Sequence, residues 1–358
     1  FPEIEWESVR APWPGVKAGE FALSVGHAFS PEQKEKFLST LQLTDFVDLN
    51  APVESFDFSI FACRPRHYNL LRFQADTVMK TCSWKEKGLA EVGFFRSVPD
   101  SLESYYPKVI SSTLTEKNFV YTMTHLRRFE LGRLCLEGTL EASDWKAFYE
   151  GLAGYFERLS ALRVGPAEVQ ERLRKLFIHK LSDRFEAFRQ FPGFAELARK
   201  FQAETGVSFE SRVRDLAARL EGIIAGSTAD TVVFSHGDLS FCNILYDVET
   251  REIGLVDPRG KNAVDGCFQP VEYDLAKLSH SALGHYEAIV MDEGPFETES
   301  TVRNSFLDFM KKFPLSLNHL RSYEASLFWS LLPLHLDDPS HLLHFMKAGE
   351  RAFQAGQS

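Results

Sequence analysis

The sequence predicts an α+β protein with two parts, a small strand-rich region followed by a large helical region. Between residues 51 and about 127, short alternating or continuous apolar runs are separated by turn residues, which is typical of strands. From Ser143 onward, apolar residues recur three or four positions apart over long segments, which is the spacing of amphipathic helices. We therefore expect a small, mainly antiparallel sheet and a large helical body.

Length, charge and cysteine content restrict the possible classes of protein. The chain has 358 residues, 44% of them hydrophobic, which is enough for two domains with substantial cores. A net charge of −10 disfavours nucleic acid or a membrane surface as partner. Five cysteines without a Cys-x-x-Cys pair predict neither a disulfide framework nor a zinc site. No apolar run approaches the roughly twenty residues of a membrane span, and no signal peptide is recognisable, so we expect a soluble, cytoplasmic protein.

We divide the chain into three parts on these patterns. Residues 1–50 are an extension that we expect to pack on the small lobe. Residues 51–127 form that strand-rich lobe, and residues 128–358 form the helical lobe. Helical spacing is found over 143–159, 167–190, 195–204 and 208–225, and helices dominate again after 271, through 300–312, 316–332 and 339–354.

The small lobe contains a strand and a helix that carry opposite charges. Residues 76–81 are predicted as a strand with Lys80 near its end. The following residues, 84–96, have helical spacing of Leu89, Val92 and Phe95, and Glu91 lies in this segment, eleven residues after Lys80. Two further strands are predicted at 107–110 and 119–123.

The segment with the clearest chemistry reads Ser-His-Gly-Asp-Leu-Ser-Phe-Cys-Asn at residues 235–243. A buried strand at 231–234 leads into it. Two short strands follow, joined by a polar turn, and the second ends just before Asp257. Antiparallel pairing of those strands brings Asn243, before the first, beside Asp257, after the second.

An amide oxygen and a carboxylate at one end of a hairpin suit Mg²⁺, which is usually held jointly with the phosphates of a nucleotide. Asp238, five residues before Asn243, is placed to accept a proton from a substrate hydroxyl that attacks the terminal phosphoryl group. The alternative is that Asp238 and Asn243 form turns and Asp257 ends a strand. The agreement of order, spacing and apolar strands favours the first interpretation.

This pattern of His-Gly-Asp, four residues, Asn, a hairpin and Asp resembles the signature of the aminoglycoside phosphotransferase and choline kinase family. Those proteins are small-molecule kinases with a two-lobed, protein-kinase-like fold. The resemblance implies ATP and Mg²⁺ as cofactors, Asp238 as catalytic base, and Asn243 and Asp257 as metal ligands. It implies that His236 braces the loop.

The resemblance also demands a lysine for the phosphates of the nucleotide and a glutamate to hold that lysine. We assign Lys80 and Glu91 to this ion pair in a nucleotide-binding small lobe, and interpret the charges at 85–87 as ordinary surface charges. Met123 and Leu126 fall where a kinase-like chain crosses between its lobes, so we expect the backbone there to bind adenine.

Two segments depart from the protein-kinase pattern. The first hairpin, roughly 56–73, contains no glycine, so we expect Arg66 or Asn69 to replace bare backbone amides at the phosphates. An exposed basic loop without a ligand is an equal alternative. After Asp257 the chain reads Pro-Arg-Gly, and no activation segment ending in Ala-Pro-Glu follows, which argues against a protein substrate. Arg259 is a candidate contact for an anionic group of the substrate or for the moving phosphate, with a structural salt bridge as the alternative.

A second motif, Tyr-Asp-Leu-Ala at 273–276, again resembles the aminoglycoside kinase family, and Asp274 is expected to cap its helix or brace the catalytic loop. The string from 257 to 286 is similar to a subgroup encoded in bacterial capsule and surface-polysaccharide gene sets. We therefore expect a phosphotransferase that acts on a hydroxyl of a sugar or an amino alcohol of surface-glycan metabolism. The alternative is a kinase-shaped scaffold that binds nucleotide without turnover.

Overall fold

The computed structural model describes residues 69–74, 76–262, 266–291, 299–336 and 339–357. The predicted extension at 1–50 and the loop that carries Arg66 lie outside the described residues, so those two expectations stay predictions. Among the described residues no helix is long and apolar enough to cross a bilayer.

A four-stranded antiparallel sheet forms the strand-rich part. Its strands have the spatial order β1-β2-β4-β3, and their bounds are β1 (Asn69–Phe73), β2 (Thr77–Cys82), β3 (Val109–Leu114) and β4 (Phe119–Thr124). Burial alternates along β2 and β4, which places the side chains of Lys80 and Tyr121 among the buried ones. These two residues are direct partners in the β2–β4 register.

Helix α1 (Lys85–Phe95) follows β2, and the face that it buries carries an acidic residue as well as apolar ones. Glu91, Val92, Phe94 and Phe95 are buried, whereas Leu89 is 46% exposed although its spacing suggested the apolar face. The acidic Glu91 occupies the buried face instead because a buried lysine on β2 is its partner, as described below.

The rest of the described chain is mainly helical. Its helices are α2 (Leu131–Leu136), α3 (Ala142–Arg158), α4 (Pro166–Arg174), α5 (Lys180–Arg189), α6 (Phe194–Thr205), α7 (Phe209–Ala225), α8 (Val271–Ala282), α9 (Tyr286–Val290), α10 (Glu299–Met310), α11 (Leu317–Leu331) and α12 (Leu342–Ala355). A π-helical turn, Lys175–His179, joins α4 to α5. The predicted α+β class, with an antiparallel sheet first and helices after it, is thereby confirmed.

Two small antiparallel sheets lie within this helical part. One has the order β5-β8-β9 and the other the order β10-β7-β6. Their strands are β5 (Phe129–Glu130), β6 (Ala161–Arg163), β7 (Thr231–Phe234), β8 (Ile244–Tyr246), β9 (Ile253–Leu255) and β10 (Phe268–Gln269). The predicted strand before the His-Gly-Asp motif is β7, and the predicted hairpin after it is β8 and β9.

Aromatic packing joins α1 to this motif. The ring of Phe94 lies 4.7 Å from that of Phe234 at the end of β7, 5.3 Å from that of Tyr106 and 6.3 Å from that of His236, measured between centroids. Such contacts add to the gain from burying the rings themselves. The helix that carries Glu91 is therefore packed directly against the strand that leads into the loop carrying Asp238.

Helices α11 and α12 approach each other closely at Gly349. The indole N–H of Trp329 donates to the carbonyl of Met346 at 3.0 Å, and a Cβ atom on Gly349 would lie 2.2 Å from that indole nitrogen. Glycine at this position therefore permits the helix contact.

We predict that Gly349→Ala lowers the free energy of unfolding by about 1–3 kcal/mol or more, because the added methyl group overpacks a buried site. The matched control is Gly154→Ala within α3, where an added Cβ meets no atom within 4 Å; this change should be neutral or stabilise by up to about 1 kcal/mol. Thermal unfolding of both variants measures the difference, and equal melting temperatures would contradict the packing described.

Candidate active site

The loop after β7 is held by the imidazole of His236. This ring is buried; its Nε2 donates to the carbonyl of Val256 at 2.9 Å, and its Nδ1 accepts from the backbone N–H of Asp238 at 3.3 Å. One nitrogen donates and the other accepts, which defines a neutral ring. Burial lowers the pKa of His236 to about 4, so the ring stays neutral at physiological pH and braces the loop.

A second anchor is Asp274 near the start of α8. Its carboxylate accepts hydrogen bonds from the Ser235 hydroxyl at 2.9 Å and from the backbone N–H groups of His236 at 3.0 Å and Gly237 at 2.8 Å. Gly237 has φ of 76°, and a Cβ there would lie 2.7 Å from the Cβ of Arg259. The motif therefore needs glycine at this position for two steric reasons.

Asn243 faces the same loop. Its amide nitrogen donates to the carbonyl of Asp238 at 2.8 Å, which leaves its amide oxygen available to a ligand. The backbone N–H of Val256 donates to the carbonyl of Asn243 at 3.0 Å, and Ile244 is paired with Leu255. The hairpin thus places Asn243 and Asp257 at one end, as the sequence predicted.

Lys80 connects the strand-rich part to Asp257. Its ammonium nitrogen lies 2.8 Å from Oε1 of Glu91 and 2.8 Å from Oδ1 of Asp257. Tyr121 donates from its hydroxyl to the other oxygen of Glu91 at 2.9 Å. The predicted Lys80–Glu91 ion pair is present, and it is joined to the carboxylate predicted as a metal ligand.

The charged groups of this cluster shift the pKa values of one another. Burial opposes the charge of Lys80, but Asp257 and Glu91 outweigh it and raise the pKa of Lys80 well above its usual value. Burial likewise opposes the charge of Asp257, but Lys80 and Lys87 lower its pKa well below the usual value. Burial and the neighbouring Asp257 raise the pKa of Glu91 to about 8. Asp257, whose side chain is one third exposed, is therefore the more acidic of the two carboxyl groups.

Lys87 belongs to this cluster, although the sequence suggested an ordinary surface charge. Its ammonium lies 3.3 Å from Oδ1 of Asp257 and 3.8 Å from Oε1 of Glu91. The spacing of four residues between Lys87 and Glu91 within α1 was a signal for this contact. The prediction that Lys87 is an ordinary surface charge was therefore wrong, because Lys87 lies on the same face of α1 as Glu91.

Asp257 has φ of 51°, an uncommon conformation for a residue other than glycine that asparagine and aspartate tolerate best. Within the part of the chain that the structure describes, no three His, Cys, Asp or Glu side chains form a ready metal cage. One amide oxygen and one carboxylate fit Mg²⁺ only if phosphate oxygens and water complete its coordination.

Met123 and Leu126 lie where the chain leaves the sheet. Met123 is aligned with Val78 of β2 and with Val109 of β3, and its side chain is buried. Within the described residues the backbone N–H of Leu126 donates to no protein acceptor. Adenine recognition at these residues stays a prediction.

Asp238 is paired with a lysine that the sequence did not single out. The ammonium of Lys277 in α8 lies 2.7 Å from Oδ1 of Asp238. Four residues before Lys277, the hydroxyl of Tyr273 accepts a hydrogen bond from Lys180 at 2.6 Å. The guanidinium carbon of Arg259, the candidate substrate contact, lies 5.5 Å from the centre of the Tyr273 ring.

Two buried glutamates, Glu287 and Glu130, lie next to the loop that carries Asp238. Glu287 accepts hydrogen bonds from the backbone N–H of Cys242 at 3.3 Å and from the Ser281 hydroxyl at 2.8 Å. Glu130 is buried next to it and no described group bonds its Oε1. Burial and the neighbouring Glu287 raise the pKa of Glu130 to about 8, which outweighs the opposite effect of Arg133.

We predict that Glu130→Gln removes a pH-dependent loss of stability. A carboxyl whose pKa in the folded state exceeds its value of 4.5 in the unfolded state stabilises the fold fully below pH 4.5, and that contribution is lost as the pH rises toward 8. The variant should therefore melt a few degrees above wild type at pH 8 and close to it at pH 5.

The matched control for this experiment is Glu116→Gln in an exposed turn. Melting curves at both pH values should be alike for this variant and wild type. If Glu130→Gln gave the same difference from wild type at pH 5 and at pH 8, the buried carboxyl would not be protonated as described.

No family model and no curated protein matches the chain. Among solved structures, the chain is similar to an aminoglycoside phosphotransferase from Streptomyces rimosus in complex with ADP and streptomycin, at 18% identity and a TM-score of 0.41, over 73% of this chain and 87% of that one.

Two further structures are similar to the chain. An ethanolamine kinase from Plasmodium vivax matches at 13% identity and a TM-score of 0.46, over 98% of this chain and 96% of that one. An aminoglycoside-3′-phosphotransferase of type VIII matches at 15% identity and a TM-score of 0.40, over 74% and 94%. These values are too low to assign an activity, and the geometry of the site carries the functional conclusion.

Proposed function

We propose that the protein is an ATP- and Mg²⁺-dependent phosphotransferase that phosphorylates a hydroxyl group of a small molecule, such as a sugar or an amino alcohol of surface-glycan metabolism. The observation that carries the proposal is the contact of Lys80 with both Glu91 and Asp257 at 2.8 Å. Lys80 and Asp257 are 177 residues apart, and this combination is the one that kinase-type phosphoryl transfer requires.

Each residue of the site has a distinct part in this proposal. Lys80, held by Glu91, binds phosphate oxygens of the nucleotide. Asn243 and Asp257 would hold Mg²⁺, which neutralises charge on the phosphates when bound. The backbone near Met123 and Leu126 would bind adenine. Arg66 stays a candidate phosphate contact from a loop outside the described residues.

Asp238 would orient the acceptor hydroxyl and take its proton. The hydroxyl oxygen forms a bond to the terminal phosphorus as the bond from that phosphorus to the bridging oxygen breaks, so ADP leaves and the proton ends on Asp238. The ion pair with Lys277 holds Asp238 in its charged, proton-accepting form, since burial opposes the charge of Lys277 but Asp238 raises the pKa of this lysine. Direct transfer needs no phosphoenzyme.

We predict that Asp238→Asn reduces turnover by a factor of about 10² to 10⁴, the range of a positioned general base. Binding of ADP should change little, because Lys80 and Asp257 remain. ADP release in a screen of sugars and amino alcohols measures turnover, and calorimetry measures ADP binding. Full turnover in the variant would refute the role of Asp238; ADP binding by wild type with no turnover on any acceptor would favour the scaffold alternative.

We predict that Asp257→Ala weakens binding of Mg²⁺ with nucleotide by at least tenfold, because it removes a metal ligand and leaves Lys80 and Lys87 with one carboxylate fewer. The readout is the increase in melting temperature on addition of MgCl₂ and ADP. The matched control, Asp308→Ala, removes an exposed aspartate that pairs with Lys311, and its response should equal that of wild type. An undiminished response in Asp257→Ala would exclude the proposed metal site.

A further inference from the structure

Basic side chains from three separate segments gather near Asp238. We name Lys180, Arg184, Arg259 and Lys277 the basic cluster. Lys180 and Arg184 are one turn apart in α5, Arg259 follows the β8–β9 hairpin, and Lys277 lies in α8. Segments this far apart in sequence meet only through the folding of the whole helical part.

The ring of Tyr273 is the centre of the basic cluster. Besides accepting the hydrogen bond from Lys180 at 2.6 Å, it has the Lys180 ammonium 5.0 Å and the Arg259 guanidinium 5.5 Å from its ring centre. Lys277 lies one helical turn after Tyr273 and reaches Asp238. The cluster therefore adjoins the carboxylate proposed to bind the acceptor hydroxyl.

The positive charges of Lys180 and Arg259 are not balanced by a paired carboxylate. Asp238 pairs with Lys277, but within the described residues neither Lys180 nor Arg259 forms an ion pair with a carboxylate. The nearby Asp274 is not available, because three donors of the catalytic loop occupy its oxygens. This part of the molecule therefore has a local excess of positive charge, although the net charge of the chain is −10.

The pKa values of Tyr273 and Lys180 reflect this local excess of positive charge. Burial would raise the pKa of Tyr273, but Lys180, Arg259 and Lys277 lower it to about 8. Burial, together with Arg259, Arg184 and Lys277, lowers the pKa of Lys180 to about 8, against the opposite effect of Tyr273. Lys180 is half-buried and Arg259 is exposed, and like charges placed this close repel one another unless an anion binds between them.

We propose that the basic cluster binds a negatively charged group of the acceptor, a phosphate or a carboxylate, with Lys180 and Arg259 as its principal contacts. This inference rests on the proposed function and narrows the substrate class to anionic alcohols, such as sugar phosphates or sugar acids. It argues against a cationic amino alcohol, since an ammonium group beside Lys180 and Lys277 would meet like charges. Lys180 and Arg259 would fix the acceptor so that its hydroxyl reaches Asp238.

A first experiment measures anion binding to the nucleotide-loaded protein. With MgCl₂ and ADP saturating, inorganic phosphate or acetate is added, and sodium chloride at equal ionic strength is the reference. We expect phosphate, acetate or both to raise the melting temperature above the chloride reference in wild type. No difference from chloride overturns the inference.

Charge-removing and charge-keeping variants locate the anion. Lys180→Gln and Arg259→Gln should each weaken anion binding at least tenfold, whereas Lys180→Arg and Arg259→Lys should retain most of it. Arg199→Gln, an exposed change in α6, should match wild type. Binding that survives in both glutamine variants but is lost in Lys80→Ala would place the anion at the nucleotide phosphates and overturn the inference.

A second experiment uses acceptors that differ in one group: glucose, glucosamine, glucuronate and glucose 6-phosphate. Calorimetry with MgCl₂ and ADP present should show at least tenfold tighter binding of glucuronate or glucose 6-phosphate than of glucose. Tighter binding of glucuronate would indicate that the cluster prefers a carboxylate, and tighter binding of glucose 6-phosphate that it prefers a phosphate. Tighter binding of glucosamine, or no preference for an anion, overturns the inference alone. Absence of ADP binding would instead refute the proposed function.

Discussion

The contact of Lys80 with Asp257 is the interaction on which the site depends. It joins a strand of the first sheet to the residue after the β8–β9 hairpin, and together with Lys87 it links Glu91, buried in α1, to Asp257. Burying this many charges is tolerated because two ammonium groups and two carboxylates lie within 4 Å of one another. Removing one member would leave the others buried and uncompensated.

The loop that carries Asp238 is held in place by hydrogen bonds to its backbone and to its imidazole, not by the ion pairs of Lys80. Its backbone N–H groups are bonded by Asp274, and its one imidazole is held neutral between a donor and an acceptor. A carboxylate that takes up a proton works best if it is already placed where the hydroxyl arrives, because orientation supplies much of the rate. The buried anchors of the loop therefore matter to the proposed function as much as the half-buried Asp238 does.

Local sequence patterns were sufficient for the parts of the site that lie close together in the chain. The hairpin placed Asn243 beside Asp257, and the kinase resemblance, combined with strand and helix periodicity, assigned Lys80 and Glu91. Lys180 and Lys277 were not found, because a lysine in a helix has the same spacing whether it faces solvent or the loop, and only the packing of α5 and α8 on α11 decides. The two-residue strand β5 and the five-residue helix α9 were missed because they are too short to show a period.

The basic cluster shows why local charge decides binding where net charge does not. A chain with net charge −10 repels an anionic substrate weakly at distance, and salt screens that repulsion beyond about 8–10 Å. Close to the cluster, the attraction of Lys180 and Arg259 for an anion outweighs this weak repulsion, and Tyr273 adds a hydroxyl and a ring face but no full negative charge while it is protonated. A bound anion would raise the pKa of Lys180 because it stabilises the ammonium, and would raise the pKa of Tyr273 because its negative charge disfavours the phenolate. Substrate charge and the protonation of Tyr273 are thus coupled, and the cluster is complete only with an anion in place.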